Sequence, residues 1–341
     1  MNANDFLVQL NYQVLDEIIK QYPIAQDYLD NFRLGEIERK LPFFEGLLLL
    51  EDSLFEEFGL TRYEVLKNFA IFLDTFSQQK AAMETIESIT IRGGYNKAKE
   101  AEELSVTIHK GEIISIVGPT GSGKSRLLND IECLAQQDTP TGRTILMNGK
   151  PVKEEIRFEM EGRLVAQLSQ NMNFVMDLSV GDFLEMHAKC RMRKDTSHVV
   201  EESFLCANEL AGESFLKNTK ITQLSGGQSR ALMIADTAFM SDSPIVLIDE
   251  IENAGINRRQ AIDLLAKKDK IVLISTHDPL LALSANRRIV IKNGGIYKIM
   301  DTTQEEKDNL NKIERVDNWM LRLREGLRHG ECITKDLLAF E

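Results

Sequence analysis

Apolar residues in the first part of the chain recur at helical spacing. Phe6, Leu7, Leu10, Val14, Leu15 and Ile18 fall on one stripe, which predicts a mostly helical segment over residues 1–85. Two stretches within it echo each other: Tyr28-Leu29-Asp30-Asn31-Phe32-Arg33-Leu34 and Leu54-Phe55-Glu56-Glu57-Phe58-Gly59-Leu60. Two amphipathic helices sharing a pattern by chance would explain this, and so would a module of paired helices that docks a partner. A competing role for the segment is to cover apolar surface of the following core through Phe43, Phe44, Leu47 and Leu48. Near residue 86 the period changes. Ser88–Arg92 and Leu104–Ile108 alternate like strands, with Gly93-Gly94 read as the turn between them. Ile113–Val117, Ile245–Ile248 and Ile271–Ile274 are short continuous apolar runs, the pattern of strands buried on both faces. Helical stretches lie between these runs, so residues 86–300 are expected to form an α/β domain around a parallel sheet. Beyond Tyr297 the chain is again charged. Glu305 to Arg328 reads as a helix with Leu310, Ile313, Val316, Met320 and Leu323 on one side, within a helical extension over 301–341.

Composition narrows the class. A chain of 341 residues fits about two domains, and its 53 acidic against 41 basic residues give a net charge of −12. That balance disfavours nucleic acid or an anionic membrane as the main partner. No apolar run approaches the roughly 20 residues of a membrane helix; Gly46-Leu47-Leu48-Leu49-Leu50 stops at Glu51. The N-terminus lacks a signal-peptide pattern, and Cys133, Cys190, Cys206 and Cys332 have irregular spacing, so a reduced, cytoplasmic chain without direct membrane insertion is expected.

Gly118-Pro119-Thr120-Gly121-Ser122-Gly123-Lys124-Ser125 fits G-x-x-x-x-G-K-[ST] in full, after a buried strand and before a helix expected over Arg126 to Gln136. Such a loop turns successive backbone N–H groups toward one phosphate chain at a helix N-terminus. Lys124 would neutralise β/γ oxygens, Ser125 would coordinate Mg²⁺, and Arg126 is counted with the nucleotide-binding set. Asp249 ends the strand Ile245–Ile248, where it can hold the Mg²⁺ shell, and Glu250 beside it can polarise the attacking water. These residues predict a nucleoside triphosphate site with Mg²⁺.

Leu224-Ser225-Gly226-Gly227-Gln228, between the phosphate loop and the acidic strand, resembles the signature of the ABC-type ATPases, and the resemblance covers residues 86 to about 300. It implies a P-loop core with an antiparallel β subdomain and a helical signature subdomain over about 171–224. It also implies ATP hydrolysis. By the same resemblance Gln170 is similar to the Q-loop glutamine that senses Mg²⁺ and the water, His277 to the switch histidine at the γ-phosphate, and Tyr95 to the aromatic residue stacked on adenine. The family pattern further implies a head-to-tail homodimer in which Ser225, Gly227 and Gln228 cap the ATP held by the partner's phosphate loop. Two features depart from that pattern. Ile251-Glu252-Asn253-Ala254-Gly255-Ile256-Asn257 follows the acid pair without the usual D-loop aspartate, and Asp236 stands where the family commonly has arginine. The missing D-loop aspartate, or its displacement to Asn257, puts ordinary coupling between sites in doubt, and slow or partner-gated hydrolysis is the expectation.

His109, His187, His198 and His329 are assigned no catalytic role. His187 and Cys190 are one His/Cys pair, too few ligands for a closed zinc site, and Arg191-Met192-Arg193-Lys194 reads as a solvated turn. Three functions compete for the motor. The preferred one is a soluble, non-transport ATPase that remodels or activates a protein partner through its N-terminal helices. The alternative is the energy subunit of a membrane transporter whose membrane helices lie on another polypeptide, with which the separation of Gln170 from Ser225 is compatible. A DNA-maintenance ATPase is disfavoured by the charge and by the lack of a long coiled coil or zinc-finger insertion.

Overall fold

The computed structural model describes residues 2–84, 86–154, 157, 164–169, 174–191, 195–250, 256–266 and 269–332. The N-terminal part contains α1 (Ala3–Tyr12), α2 (Leu15–Gln21), α3 (Ala25–Asn31), α4 (Phe43–Leu48), α5 (Asp52–Glu57) and α6 (Arg62–Glu84). Asn2 starts α1 with a reciprocal cap: its side chain accepts from the Asp5 backbone while the Asp5 carboxylate accepts from the Asn2 backbone. Phe6, Leu10, Leu15, Leu29, Phe43, Leu47 and Phe69 bury one another in a core drawn from these helices and from Leu34 and Ile37 between α3 and α4. Tyr28 lies at its centre, stacked on Phe69 with ring centroids 4.4 Å apart and donating its hydroxyl to the Val65 carbonyl at 2.8 Å. Phe43 and Leu47 therefore serve the helical core itself and do not anchor it to the sheet domain; Leu48 stays exposed.

The internal echo has a structural counterpart. Arg33 and Gly59 both take left-handed backbone at φ +54° and +62°. The Leu34 N–H then reaches back to the Leu29 carbonyl, and the Leu60 N–H to that of Phe55. Helices α3 and α5 thus end in the same left-handed turn, which satisfies carbonyls that the helix leaves open. The two turns meet, with Phe32 and Phe58 at 5.3 Å and Arg33 paired to Glu57 at 2.7 Å.

The second part holds two sheets. A four-stranded antiparallel sheet runs in the order β2 (Val106–His109), β1 (Ser88–Arg92), β4 (Thr144–Met147), β5 (Lys150–Pro151). The six-stranded sheet runs β10 (Gly295–Asp301), β9 (Arg287–Lys292), β3 (Ile113–Val117), β8 (Ile271–Ser275), β7 (Ile245–Asp249), β6 (Val165–Leu168). It is parallel apart from the edge strand β10. The apolar runs follow from burial on both faces. Ile245 and Leu247 pack on one side with Leu127, Leu128 and Ile131 of α7 (Lys124–Glu132). Val246 and Ile248 pack on the other with Ile234 and Ala238 of α10 (Gly226–Phe239).

Helices α8 (Val180–Cys190) and α9 (Thr196–Leu210) complete the small helical unit that carries α10. Helices α11 (Arg258–Ala266), α12 (Pro279–Ser284) and α13 (Gln304–Arg328) finish the described chain. Gly93-Gly94 is not a tight hairpin turn. Strands β1 and β2 pair as expected, but residues 93–105 fold into a loop closed by a Tyr95–Ala101 bridge. Asn96 makes that longer path possible, its side chain accepting from the Ala98 and Glu100 backbone.

Candidate functional site

The phosphate loop leaves the C-terminal end of β3 and enters α7 through Gly123. Its close packing explains its first glycine: a Cβ on Gly118 would stand 2.4 Å from the Ile291 carbonyl oxygen. The loop is tied down by Ser122 N–H to the Pro119 carbonyl at 3.0 Å and by Gly294 N–H to the Ser122 carbonyl at 2.7 Å. Helix α7 begins at Lys124, earlier than the expected Arg126, so the lysine occupies its first turn. Lys124 Nζ donates to the Gly118 carbonyl at 3.2 Å and lies 2.8 Å from His277 Nε2.

The ends of β7 and β8 supply the other groups, as befits a sheet whose ligands collect at the carboxyl ends of its strands. His277 Nε2 is also 3.2 Å from Glu250 Oε1. One ring nitrogen either accepts from the ammonium or donates to the carboxylate, so the three side chains form an alternating set. Glu250 holds φ +49°, a strained conformation for a side-chain-bearing residue. Asp249 Oδ1 is buried and has no hydrogen-bond partner among the described residues, and Asp249 shares a cavity of about 640 Å³ with Ser125. A buried carboxylate oxygen with no described partner, on a residue that lines the same cavity as a serine, suits a hard divalent cation such as Mg²⁺.

Tyr95, Thr120, Gly121, Gly123, Lys124, Ser125, Arg126, Asp249 and Glu250 line that cavity. Pro119 and Ser122 stand in the loop behind it. Tyr95 is half exposed, its ring beside Gly142. Ser225, Gly227 and Gln228 are not among the lining residues. They form the N-terminus of α10, where Ser225 Oγ accepts from Gln228 N–H and Gln228 Oε1 accepts from Ser225 N–H. The signature is therefore also a helix cap, with Gly226 exposed. Gln170 and residues 251–255 lie outside the described residues. Asn257 acts locally, its side chain accepting from Gln260 N–H. Asp236 is buried and pairs with His187 Nδ1 at 2.9 Å, with the imidazole 4.1 Å from the Phe183 ring. The acid in place of arginine thus joins α10 to α8.

Two features had no marker in the sequence. Lys97 shares the cavity wall and donates to the Gly121 carbonyl at 2.6 Å. Arg143 is fully buried, bound to Glu102 at 2.5 Å, to Asp130 at 2.8 Å and to the Gly294 carbonyl at 2.8 Å. It fastens the Tyr95 loop to α7 and to the β9–β10 turn, and a Cβ on Gly94 would come within 2.5 Å of its Cγ. Arg143→Ala would leave two buried carboxylates facing each other, so a loss of about 3–5 kcal/mol is expected from denaturant unfolding. A loss under about 1 kcal/mol, the size of an exposed pair, would contradict this role.

Comparison with known proteins agrees with this geometry. A family model described as ABC transporter matches residues 101–253. An uncharacterized ABC transporter ATP-binding protein of Methanocaldococcus jannaschii is 55% identical over 252 residues, covering 74% of this chain and 96% of that protein. The macrolide export ATP-binding/permease protein MacB of Mannheimia succiniciproducens is 30% identical over 221 residues, 62% of this chain; the match spans 33% of MacB. The structure of cbiO1 from Clostridium perfringens, part of the ABC transporter complex cbiONQ, superposes with a TM-score of 0.50 at 21% identity, covering 70% of this chain and 96% of that one. The fold and site define an ABC-type ATPase with the P-loop core and two subdomains expected. The chain belongs to the family of ABC transporter ATP-binding proteins.

Proposed function

We propose that this chain is the ATP-hydrolysing subunit of a membrane transporter, with the transport path on another polypeptide. The observation that carries the reading is the cavity uniting Lys124, Ser125, Asp249 and Glu250, in a chain 55% identical to an ABC transporter ATP-binding protein. The sequence taken alone favours remodelling of a soluble partner. The names of the relatives reverse that order, since both M. jannaschii and M. succiniciproducens proteins are named for transport. No helix among the described residues is long and apolar enough to cross a membrane, which is why a second polypeptide enters the proposal.

In this reading the phosphate loop, 118–125, wraps the triphosphate with backbone N–H groups, and Lys124 turns from His277 and the Gly118 carbonyl to β/γ oxygens. Ser125 and Asp249 would hold Mg²⁺, with Gln170 completing the set. That cation would supply charge neutralisation on the phosphates. Glu250 takes the proton of the attacking water. His277, released by Lys124, donates to the γ-phosphate, and Tyr95 stacks on adenine. The cavity formed by one chain lacks Ser225, Gly227 and Gln228, so a second copy packed head to tail supplies them and ATP bridges the two.

Affinity capture from membranes solubilised from cells that make the chain tests the transport role. Recovery of a polytopic membrane protein is expected, lost on washing at a pH that unfolds the chain. Capture of a soluble enzyme alone would restore the remodelling role.

The helical segment 1–85 is proposed to be its own folding unit, because its buried residues pack on one another. Deleting it should leave a soluble chain whose ATP affinity, by titration calorimetry, matches the full protein. An insoluble remainder would contradict this.

A further inference from the structure

The C-terminal helix α13 lies beyond residues 101–253, the part matched by the family model, yet it reaches the catalytic end of the sheet through one arginine. Arg258 opens α11, shortly after the acidic pair. Its NH1 binds Asp278 Oδ2, and its NH2 binds Asp317 Oδ2 of α13 at 2.7 Å. The guanidinium is mostly buried between the two carboxylates. Asp278 directly follows His277. Its second oxygen accepts from Leu280 N–H at 2.7 Å, capping α12, and its own N–H is held by Thr276 Oγ1 at 3.0 Å. Arg259 adds a parallel tie to Glu314 at 3.2 Å. The root of α13 is fastened separately, by Arg288 to Glu306 at 2.6 Å and by Thr302 Oγ1 to the Ala285 carbonyl at 2.7 Å.

We propose that Asp317 and Arg258 are positioning residues for hydrolysis: α13 is a strap that, through the forked guanidinium, fixes the backbone of Asp278 and with it the imidazole of His277. The inference rests on the role given above to His277. A planar guanidinium spans two carboxylates in a set geometry that an ammonium does not reproduce. His277 must present one nitrogen either to Lys124, 2.8 Å away, or to Glu250, 3.2 Å away, or to phosphate, so small rotations of its backbone matter. Neither Arg258 nor Asp317 is among the residues that line the nucleotide cavity. The strap therefore acts on turnover and leaves nucleotide affinity alone.

The test uses the full chain and four proteins: unaltered, Asp317→Asn, Asp317→Glu and Arg258→Lys. Phosphate release and Mg-ATP affinity are measured beside thermal melts. Asp317→Asn and Arg258→Lys should each lower kcat by about tenfold, a misplacement effect, with KM, ATP affinity and Tm unchanged. Asp317→Glu, which keeps the charge, should recover most of the rate. Unchanged kcat in Asp317→Asn would overturn the strap while leaving the ATPase assignment standing. So would an Asp317→Glu as slow as Asp317→Asn, or a rate loss matched by weaker ATP binding and a lower Tm. Absence of turnover in the unaltered chain would overturn both.

Discussion

Lys124→Ala is expected to weaken ATP binding on the order of 100-fold, the scale of losing one partner of a desolvated charge contact. Lys124 is buried, and its ammonium is already directed into the loop by the Gly118 carbonyl and His277. Phosphate oxygens would replace those partners with charged ones. Alanine leaves the triphosphate without that cation, while the backbone N–H groups of the loop remain. The linked effect on stability gives a second readout. Ligand at a hundredfold excess over its Kd stabilises the folded state by about 2.7 kcal/mol, and at the same concentration that gain should fall to about 0.4 kcal/mol in the variant. A Lys124→Ala chain whose melting temperature still rises with Mg-ATP as the unaltered chain's does would remove the site from the phosphate loop.

Glu250→Gln separates chemistry from binding. The glutamine keeps the shape and the cost of φ +49°, since neither side chain relieves it. What it removes is the basic oxygen that lies 3.2 Å from His277 Nε2. General-base assistance is worth about 10²–10⁴-fold, so kcat should fall within that range while ATP affinity stays the same. Rapid-quench single-turnover assays on Mg-ATP would measure the step directly. A variant retaining more than about a tenth of the rate would be incompatible with a general base at this position.

The parts of the fold that sequence reveals are those whose physics is local. Continuous apolar runs mark β3, β7 and β8 because both faces are covered, and the phosphate loop is a contiguous motif between one strand and one helix. Helix α13 follows its stripe from Gln304 to Arg328. The paired left-handed turns after α3 and α5 also left a trace, as the repeated Phe-x-Leu endings.

What escaped is tertiary. The loop over 93–105 cannot be told from a two-glycine turn until Arg143, 41 residues beyond Glu102, is placed beneath it. Asp236 reads as a departure until its partner His187, 49 residues away, closes the pair. Arg258 and Asp317 are 59 residues apart and share no periodic pattern. Lys97 reaches the cavity only because the same loop folds over Gly121. Long-range polar contacts carry no spacing rule, and they are what position the site.

The shared site is the central claim, and the mass of Glu250→Gln in solution tests it most directly. The cavity of one chain has Lys124, Asp249 and Glu250 on its wall but not Ser225, Gly227 or Gln228. With hydrolysis blocked, ATP should accumulate between two copies. Size-exclusion chromatography with light scattering should show a single-chain mass without nucleotide and twice that mass with saturating Mg-ATP. Adding Ser225→Arg to the same variant should return it to the single-chain mass. A Glu250→Gln chain that binds Mg-ATP and keeps the single-chain mass would contradict the shared site.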